Sequence, residues 1–500
     1  MASPEPLDAF LNRYTDALQR VFRDAPDGAR RFLTRGIPAS EMRAVLATNP
    51  LSVFISLEHG GRGGHVREGL AMLERSAYES LAASLTMGIN GALFLQPVSK
   101  YAQPAVQSSV FARFLEHQNM GGLMMTEPGY GSDALSMETA WVRDVDAYHI
   151  RGTKHWAGLT GLANYWLMTA RERMADGRLG RDVDFFVVDT HAAGQTITVE
   201  ERFENLGLYA IPYGRNAVDV MVPSEQRLAP TSTGLKMMLD LLHRSRMQFP
   251  GMAIGFLHRL ADEALRHVRE RAVGGKSLLQ YDQVQRRIAD LQASVTIANA
   301  MCLHASEHAG VEHDLAKEGL TANAVKTVIT DRMQAGAQSL LQLFGGAGYK
   351  LDHLAGRSVV DSRPFQIFEG SNDILYEQIG AGVLQGMRRA KEAHLGTFLA
   401  ASAWAQRAAE QVRGILDVRI DGALPQRRVV DLGRVVGHVI SLEMVEELAA
   451  RGYPKKRIEQ ARAHLLADVE RWFTSLRAGH AAAPIDDALA PGSWLSFTNG

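Results

Sequence analysis

The chain has 500 residues, with 54 basic and 55 acidic side chains, so its formal net charge is −1 and nothing in this balance favours nucleic acid or an anionic membrane as a partner. Its single cysteine, Cys302, excludes an intrachain disulfide and a multi-cysteine metal site, and we expect no metal ion. We predict neither a secretory signal nor an apolar run long enough to span a bilayer, and therefore a cytoplasmic protein. A chain of 500 residues is too long for one small core, so we expect several domains.

Residues 1–120 are predicted to form an N-terminal helical domain. Apolar residues recur at helical spacing from Leu7 to Phe22, and the segments 69–85 and 106–117 also have a helical pattern. Glycines cluster between these segments, but the third glycine of a dinucleotide-binding fingerprint would fall at Val66. We therefore interpret the cluster as a turn between helices.

Residues 121–230 are predicted to form a β domain. Near its end, Val218, Val220 and Val222 alternate with other residues, a pattern typical of a strand with one buried face. The segments 148–150 and 185–188 predict further strands. A stretch of roughly a hundred residues is large enough for one small domain.

Helical periodicity returns after the β domain and predicts a helical bundle over residues 231–385, with long helices in 259–271 and 281–308. A second glycine cluster, at 345–348, also fails the dinucleotide-binding test, because Leu351 occupies the position of the third glycine.

An additional helical extension is predicted over residues 395–479. Its expected helices cover 397–416, 427–451 and 455–476. Residues 480–500 are rich in alanine, proline and glycine, and we predict that they form a flexible tail.

The segment from Arg363 to Gln378 contains one carboxylate, Glu369, between an apolar run and Gly370. Apolar surroundings raise the pKa of a carboxyl group, which suits a base that removes a proton from carbon. Residues 371–373 are predicted to cap a helix that begins near Ile374. A loop glutamate beside a helix cap also explains these residues, so the choice stays open on this segment alone.

Four strings together indicate a family. They are MTEPGYGSD at 125–133, GTKHW at 152–156, QLFGGAGY at 342–349 and IFEGSNDIL at 367–375. In order and spacing they resemble the acyl-CoA dehydrogenase family over roughly residues 50–385. The resemblance implies an α+β fold with an N-terminal helical domain, a central antiparallel β-barrel-like domain and a C-terminal four-helix-bundle domain, to which this chain adds its helical extension.

The resemblance further implies a flavoprotein with FAD between the β domain and the bundle. Thr126 is expected to face the flavin, Trp156 to pack against it, and Arg271 to reach the FAD of a neighbouring subunit, which implies a homodimer or homotetramer. The residues expected to contact FAD are Met125, Thr126, Gly131, Ser132, Trp156, Ala157, Gly158, Arg271, Gln342, Leu343, Phe344, Gly345, Gly346, Ser371 and Asp373. Those expected to contact substrate are Ser132, Arg246 and Gly370.

Glu369 falls on the catalytic base of most of the family. The implied reaction is α,β-dehydrogenation of an acyl thioester in fatty acid metabolism, in which Glu369 takes the α-proton and flavin N5 takes hydride. The product is the trans-2-enoyl thioester. An electron-transfer flavoprotein is the expected electron acceptor. Whether the thioester is on coenzyme A or on an acyl carrier protein stays open.

The chain departs from the family after Trp156. The family commonly has Trp-Ile-Thr, whereas this chain has Trp156-Ala157-Gly158. The absent threonine normally bonds to flavin N5, and its loss is expected to open space there. Acyl-CoA oxidases also have glycine at this position, so an oxidase or flavin monooxygenase that uses O2 is an alternative. A non-catalytic flavoprotein that serves as a binding or assembly partner is another, although Glu369 argues against it.

The extension resembles an addition in the very-long-chain branch of the family and favours a bulky or long acyl group. The alternative is that the extension serves only as a packing or dimerisation module.

Overall fold

The computed structural model describes residues 3–24, 36–420, 422–478 and 494–498. Helical N-terminal and C-terminal parts flank a curled sheet, which confirms the α+β fold class. Most of the predicted tail lies outside the described residues, apart from a short 3-10 turn at Trp494–Phe497. The domain boundaries stay a prediction.

The N-terminal part consists of short helices packed around a shared apolar core. They are α1 (Leu7–Phe22), α2 (Ala39–Leu46), α3 (Val66–Glu79), α4 (Leu81–Asn90), α5 (Gln96–Tyr101) and α6 (Pro104–His117). The predicted helix over 69–85 is divided at Ser80, which ends α3 and accepts a hydrogen bond from the Ala83 amide, 3.2 Å away, as the cap of α4.

A continuous helical stretch from Leu81 to Tyr101 corrects the expectation of no long apolar run. It includes α4, a π-helical turn at Gly91–Leu95 and α5, and its 21 residues are long and apolar enough to cross a membrane. Its most apolar window is fully buried inside the fold, as in a core helix. Length and composition alone could not distinguish these two cases.

The central part is a curled sheet. Its strands are β1 (Gly121–Met124), β2 (Ala140–Asp144), β3 (Ala147–Gly158), β4 (Tyr165–Glu172), β5 (Asp184–Asp189), β6 (Gln195–Arg202) and β7 (Tyr213–Pro223). The order is β1-β4-β2-β3-β7-β6, and β5 pairs with β4. Most pairs are antiparallel, whereas β4 is parallel to both β1 and β2.

A buried ion pair fixes the loop that follows β1. Lys154 on β3 donates a 2.8 Å hydrogen bond to Glu127, and both side chains are almost fully buried. Glu127 also accepts hydrogen bonds from the amides of Glu138 and Thr139. The loop that carries Met125 and Thr126 is therefore held against β3.

The bundle follows the sheet. Its helices are α7 (Gly234–Arg246), α8 (Phe249–Glu270), α9 (Asp282–His308), α10 (Gly319–Phe344), α11 (Leu354–Ser362) and α12 (Asn372–Ala390). A short hairpin, β8 (Ala272–Val273) with β9 (Lys276–Ser277), joins α8 to α9.

The extension consists of α13 (Leu395–Ala400), α14 (Gln406–Leu416), α15 (Gln426–Ala450) and α16 (Lys455–Arg477). Helix α15 packs against α9, α10 and α12. Its contact with α12 is so close that a Cβ at Gly433 would lie 1.8 Å from the carbonyl oxygen of Tyr376. The extension is therefore part of the bundle core.

The predicted single helix over 397–416 is wrong, because the chain breaks between α13 and α14. The carboxylate of Glu443 on α15 accepts hydrogen bonds from the amides of Arg407 and Ala408, at 2.7 and 2.8 Å. These amides begin α14, so a tertiary contact supplies its N-terminal cap.

Candidate active site

A cavity of about 150 Å³ lies where the sheet meets α4, α7 and the turn before α12. Its walls are mostly apolar, with a few polar groups that converge on it. The lining residues are Leu85, Ile89, Leu93, Leu123, Met125, Thr126, His155, Trp156, Gly158, Tyr213, Leu242, Phe368 and Glu369. A larger cleft of about 630 Å³ lies beside the N-terminal segment and contains none of the predicted site residues.

Glu369 lies in a left-handed turn directly before α12. Its φ is 55° and that of Gly370 is 92°, which is an unusual conformation for a residue with a side chain. Its Oε1 accepts a 2.8 Å hydrogen bond from the hydroxyl of Ser245, at the end of α7. Its Oε2 is buried and has no hydrogen-bond partner among the described residues. One carboxylate oxygen is therefore anchored and the other is available.

The surroundings of Glu369 suit proton abstraction. Burial raises its pKa, while the hydrogen bond from Ser245 and the charges of Arg246 and Lys326 lower it, and the net pKa is above the ordinary value. An unpartnered carboxylate oxygen with raised proton affinity is what a base needs when it takes a proton from carbon.

Arg246 was predicted to contact substrate, but it is not among the residues that line the cavity. It is buried and donates two hydrogen bonds to the carbonyl oxygen of Glu369, at 3.1 and 2.7 Å, and a third to Asn323 at 2.6 Å. Its contact with substrate stays a prediction, whereas its contact with the turn is part of the structure.

Trp156 lies beside the cavity because β3 has a bulge there. The pairing of β3 with β7 shifts between His155 and Ala157, and Trp156 has a φ of 57°. Trp156 is 51% exposed, and its ring contacts Phe203 with 4.6 Å between ring centroids. An exposed aromatic face is thus presented next to Thr126 and Gly158, whereas Ala157 is buried.

The space beside Gly158 is not open, which corrects our expectation. A Cβ at Gly158 would lie 3.0 Å from Cδ1 of Ile89 and 3.3 Å from Cε1 of Tyr213. Tyr213 is directly opposite Gly158 in the pairing of β3 with β7. Its ring and Ile89 therefore crowd the position that a threonine side chain would occupy.

Other predicted residues lie outside this cavity. Gly131 and Ser132 are in an exposed loop, and a Cβ at Gly131 would meet no atom within 4 Å. Ser371 is in the N-cap position of α12 but makes no side-chain cap bond. Asp373 is mostly exposed and pairs with Arg434 of the extension at 2.9 Å.

The glycine-rich segment at the end of α10 lies outside this cavity and contacts the end of α8, which precedes Arg271. Phe344 stacks on His267 with 4.0 Å between ring centroids, and His267 accepts the Arg271 amide through its carbonyl oxygen. A Cβ at Gly345 or Gly346 would meet no atom within 4 Å, and Gln342 is exposed. Leu343 instead packs in the core.

Sequence reasoning missed several residues of the site. Ser245 and Lys326 contact the Glu369 turn, and His155 and Tyr213 line the cavity. Lys326 had a recognisable signal, since it is a lone cation in the apolar run from Ala322 to Ile329. His155 lies inside the GTKHW string at 152–156, whereas Ser245 and Tyr213 have no comparable signal in their own segments.

Residues 122–219 match the acyl-CoA dehydrogenase middle domain and residues 232–384 match the acyl-CoA dehydrogenase C-terminal domain. Cyclohexane-1-carbonyl-CoA dehydrogenase of Geobacter metallireducens is 30% identical over 267 residues, which are 53% of this chain and 68% of the relative.

Solved structures share the fold. The acyl-CoA dehydrogenase of Bacillus anthracis complexed with FAD superposes with a TM-score of 0.73 at 15% identity, covering 95% of this chain and 89% of that one. The prolyl acyl carrier protein oxidase AnaB superposes with a TM-score of 0.68 at 16% identity, covering 76% of this chain and 100% of that one.

Proposed function

Because the chain belongs to the acyl-CoA dehydrogenase family, we propose that it removes two hydrogens from an acyl thioester with Glu369 as the base. Proteins of this family are FAD-dependent oxidoreductases that act on the CH–CH group of acyl-CoA, and this chain is such an enzyme. The observation that carries the proposal is the unpartnered, buried Oε2 of Glu369 in an apolar cavity.

Residues that line the cavity, and glycines in loops outside it, fit FAD. The exposed face of Trp156 suits a flat aromatic ring, and Thr126 offers a hydroxyl beside it. The backbone at Gly131, Gly345 and Gly346 is unobstructed, as close approach of a phosphate-bearing ligand requires. We propose that Thr126, Trp156 and Gly131 hold the cofactor together with Gly345, Gly346 and Arg271 from a neighbouring subunit. When bound, the cofactor supplies the hydride acceptor.

The chain's own contribution is the proton transfer. Oε2 of Glu369 takes the α-proton of the thioester, while the Ser245 hydroxyl holds Oε1 and so fixes the orientation of the carboxylate. The leucine and isoleucine side chains of α4 give the cavity an apolar wall, which suits a hydrocarbon acyl group. We propose an electron-transfer flavoprotein as the electron acceptor.

An oxidase is the second candidate, and Gly158 is the observation that favours it. The threonine common in the family is absent there, as the sequence shows. However, Ile89 and Tyr213 occupy the adjoining space, which weakens the argument that glycine admits O2.

The decisive experiment is anaerobic reduction of the bound flavin by a panel of acyl thioesters of coenzyme A and of an acyl carrier protein. We expect a yellow protein with stoichiometric FAD whose flavin bleaches with at least one thioester. Glu369→Gln should retain FAD but lose at least about a hundredfold in reduction rate. Glu377→Gln is the matched control, since Glu377 bonds Gln426 of the extension instead. Equal rates in Glu369→Gln and the wild type would overturn the assignment of the base.

A further inference from the structure

The turn at Glu369 and Gly370 is held by two buried cations, one at each carbonyl. Arg246 donates two hydrogen bonds to the carbonyl oxygen of Glu369. Lys326, from the middle of α10, donates a 2.8 Å hydrogen bond to the carbonyl oxygen of Gly370. A second 2.8 Å bond joins Lys326 to Oδ1 of Asn372, the first residue of α12.

These contacts explain how the turn keeps its conformation. A left-handed residue with a side chain costs roughly 1 kcal/mol and persists only where its surroundings fix it. Here consecutive carbonyls of the left-handed pair are fixed from two different helices, α7 and α10. The carboxylate of Glu369 is thereby directed into the cavity.

The two cations are costly to bury. Lys326 is 0% exposed and Arg246 is 5% exposed. Their hydrogen-bond acceptors are carbonyl and amide oxygens rather than carboxylates. Since an isolated buried charge is strongly unfavourable, the negative charge that compensates them has to come from nearby, and Glu369 acts electrostatically on both.

We propose that Lys326 is a positioning residue for the base: it fixes the Gly370 carbonyl and the start of α12, and it places a buried positive charge beside the Glu369 turn. This inference rests on the proposed function. The charged groups that act on Lys326 are Glu369, Arg246 and Asp331. Asp331 is connected to Lys326 through Asn372. The side-chain amide of Asn372 donates a 2.7 Å hydrogen bond to Asp331 and accepts one from Lys326.

The influence of Lys326 on Glu369 is confined to the pH range in which Lys326 is charged. Burial lowers its pKa to about 7, against the raising effect of Glu369. Its positive charge is therefore lost close to neutral pH. Loss of that charge removes one of the influences that lower the pKa of Glu369.

The test compares Lys326→Met with the wild type in stopped-flow flavin reduction across pH. Methionine keeps the length of the side chain but removes its charge and hydrogen bonds. We expect FAD content and thioester affinity to change less than about twofold, whereas the reduction rate at pH 6 falls at least about tenfold, as expected for lost charge-assisted hydrogen bonds. The rising limb of the pH profile should move to higher pH, because Glu369 becomes harder to ionise.

Arg332→Met is the matched control, since Arg332 is a buried cation on the same helix that pairs with Asp468 instead. It should lower stability without moving the pH profile. An unmoved profile in Lys326→Met, or an equal shift in Arg332→Met, would overturn the inference. If Lys326→Met does not fold, Lys326→Gln, which keeps an N–H donor without the charge, should show the same shift.

A measurement without turnover separates this inference from the proposed function. The carboxyl infrared band of Glu369 is identified by its absence in Glu369→Gln and titrated in each variant. We expect it to titrate at higher pH in Lys326→Met than in the wild type. Should no thioester reduce the flavin, the proposed function fails while this titration still decides the role of Lys326.

Discussion

The hydroxyl of Ser245 donates a 2.8 Å hydrogen bond to Oε1 of Glu369, although 124 residues separate the two in the chain. The bond stabilises the ionised carboxylate, so it lowers the pKa of Glu369 against the effect of burial. It also leaves Oε2 as the oxygen that can receive a proton.

Ser245→Ala should therefore raise the pKa of Glu369. A base acts when ionised, so the rising limb of the rate profile should move to higher pH, with a loss of about tenfold below that limb. Flavin reduction by the best thioester, measured from pH 5 to 9, checks this. Ser245→Thr keeps the hydroxyl and should behave as wild type. A uniform loss at all pH values would instead indicate misplacement of the carboxylate.

Gly158→Thr should be destabilising. Its side chain would crowd Ile89 and Tyr213, and overpacking of this kind costs about 1–3 kcal/mol. Thermal unfolding of the variant should show a lower midpoint, and the added threonine should lower the midpoint less in an Ile89→Ala background than in the wild type. An equal cost in both backgrounds would mean that Tyr213, rather than Ile89, sets the limit.

The same double variant tests the oxidase alternative. With Ile89→Ala as the common background, adding Gly158→Thr isolates the effect of the threonine. We expect slower reoxidation of the reduced, product-bound enzyme in air when threonine is present. Stopped-flow absorbance gives the two rates, and equal rates would remove the support that Gly158 lends to an oxidase.

His243 should make stability depend on pH. It is buried, its Nδ1–H donates a 2.7 Å hydrogen bond to the Leu315 carbonyl, and burial lowers its pKa to about 4. Between about pH 6.5 and 4 the unfolded chain binds this proton and the folded chain does not, so the free energy of unfolding falls on acidification by up to about 3 kcal/mol. His243→Gln should flatten this part of the curve in urea titrations. Parallel curves would exclude His243 as the cause.

The extension should be energetically coupled to the bundle through Asp468. This carboxylate accepts a 2.8 Å hydrogen bond from the partly buried guanidinium of Arg332 on α10. Asp468→Ala removes the carboxylate that pairs with this partly buried cation, which costs about 1–3 kcal/mol. Glu470→Ala, an exposed position on the same helix, should cost less than about 0.5 kcal/mol in the same denaturation assay. Similar losses in both would show that the pair contributes little.

Much of the fold followed from local pattern. The helix from Leu7 to Phe22 has the predicted bounds because its apolar face is continuous, with Tyr14 and Leu18 fully buried. The break between α13 and α14 could not be predicted, because its cap comes from Glu443, about thirty-five residues further along. Local sequence does not record such a partner.

The site divides in the same way. Thr126, Trp156, Gly158 and Glu369 were proposed from contiguous strings, and they line one cavity. Ser245, Lys326 and Tyr213 are single residues in separate elements, and only tertiary packing brings them to the strings. The sequence likewise gave no sign that Tyr213 fills the space beside Gly158, because the two are neighbours across a strand pair.

The close packing of α15 limits how two copies of the chain can associate. With α15 against α9, α10 and α12, and the backbones nearly touching at Gly433, that side of the bundle is covered by the chain's own extension. We therefore predict that a contact between the bundles of two copies uses another side, such as the one where Tyr349 is 82% exposed beside Gly345 and Gly346. Substitutions at Tyr349 should then weaken subunit contact and leave the extension intact.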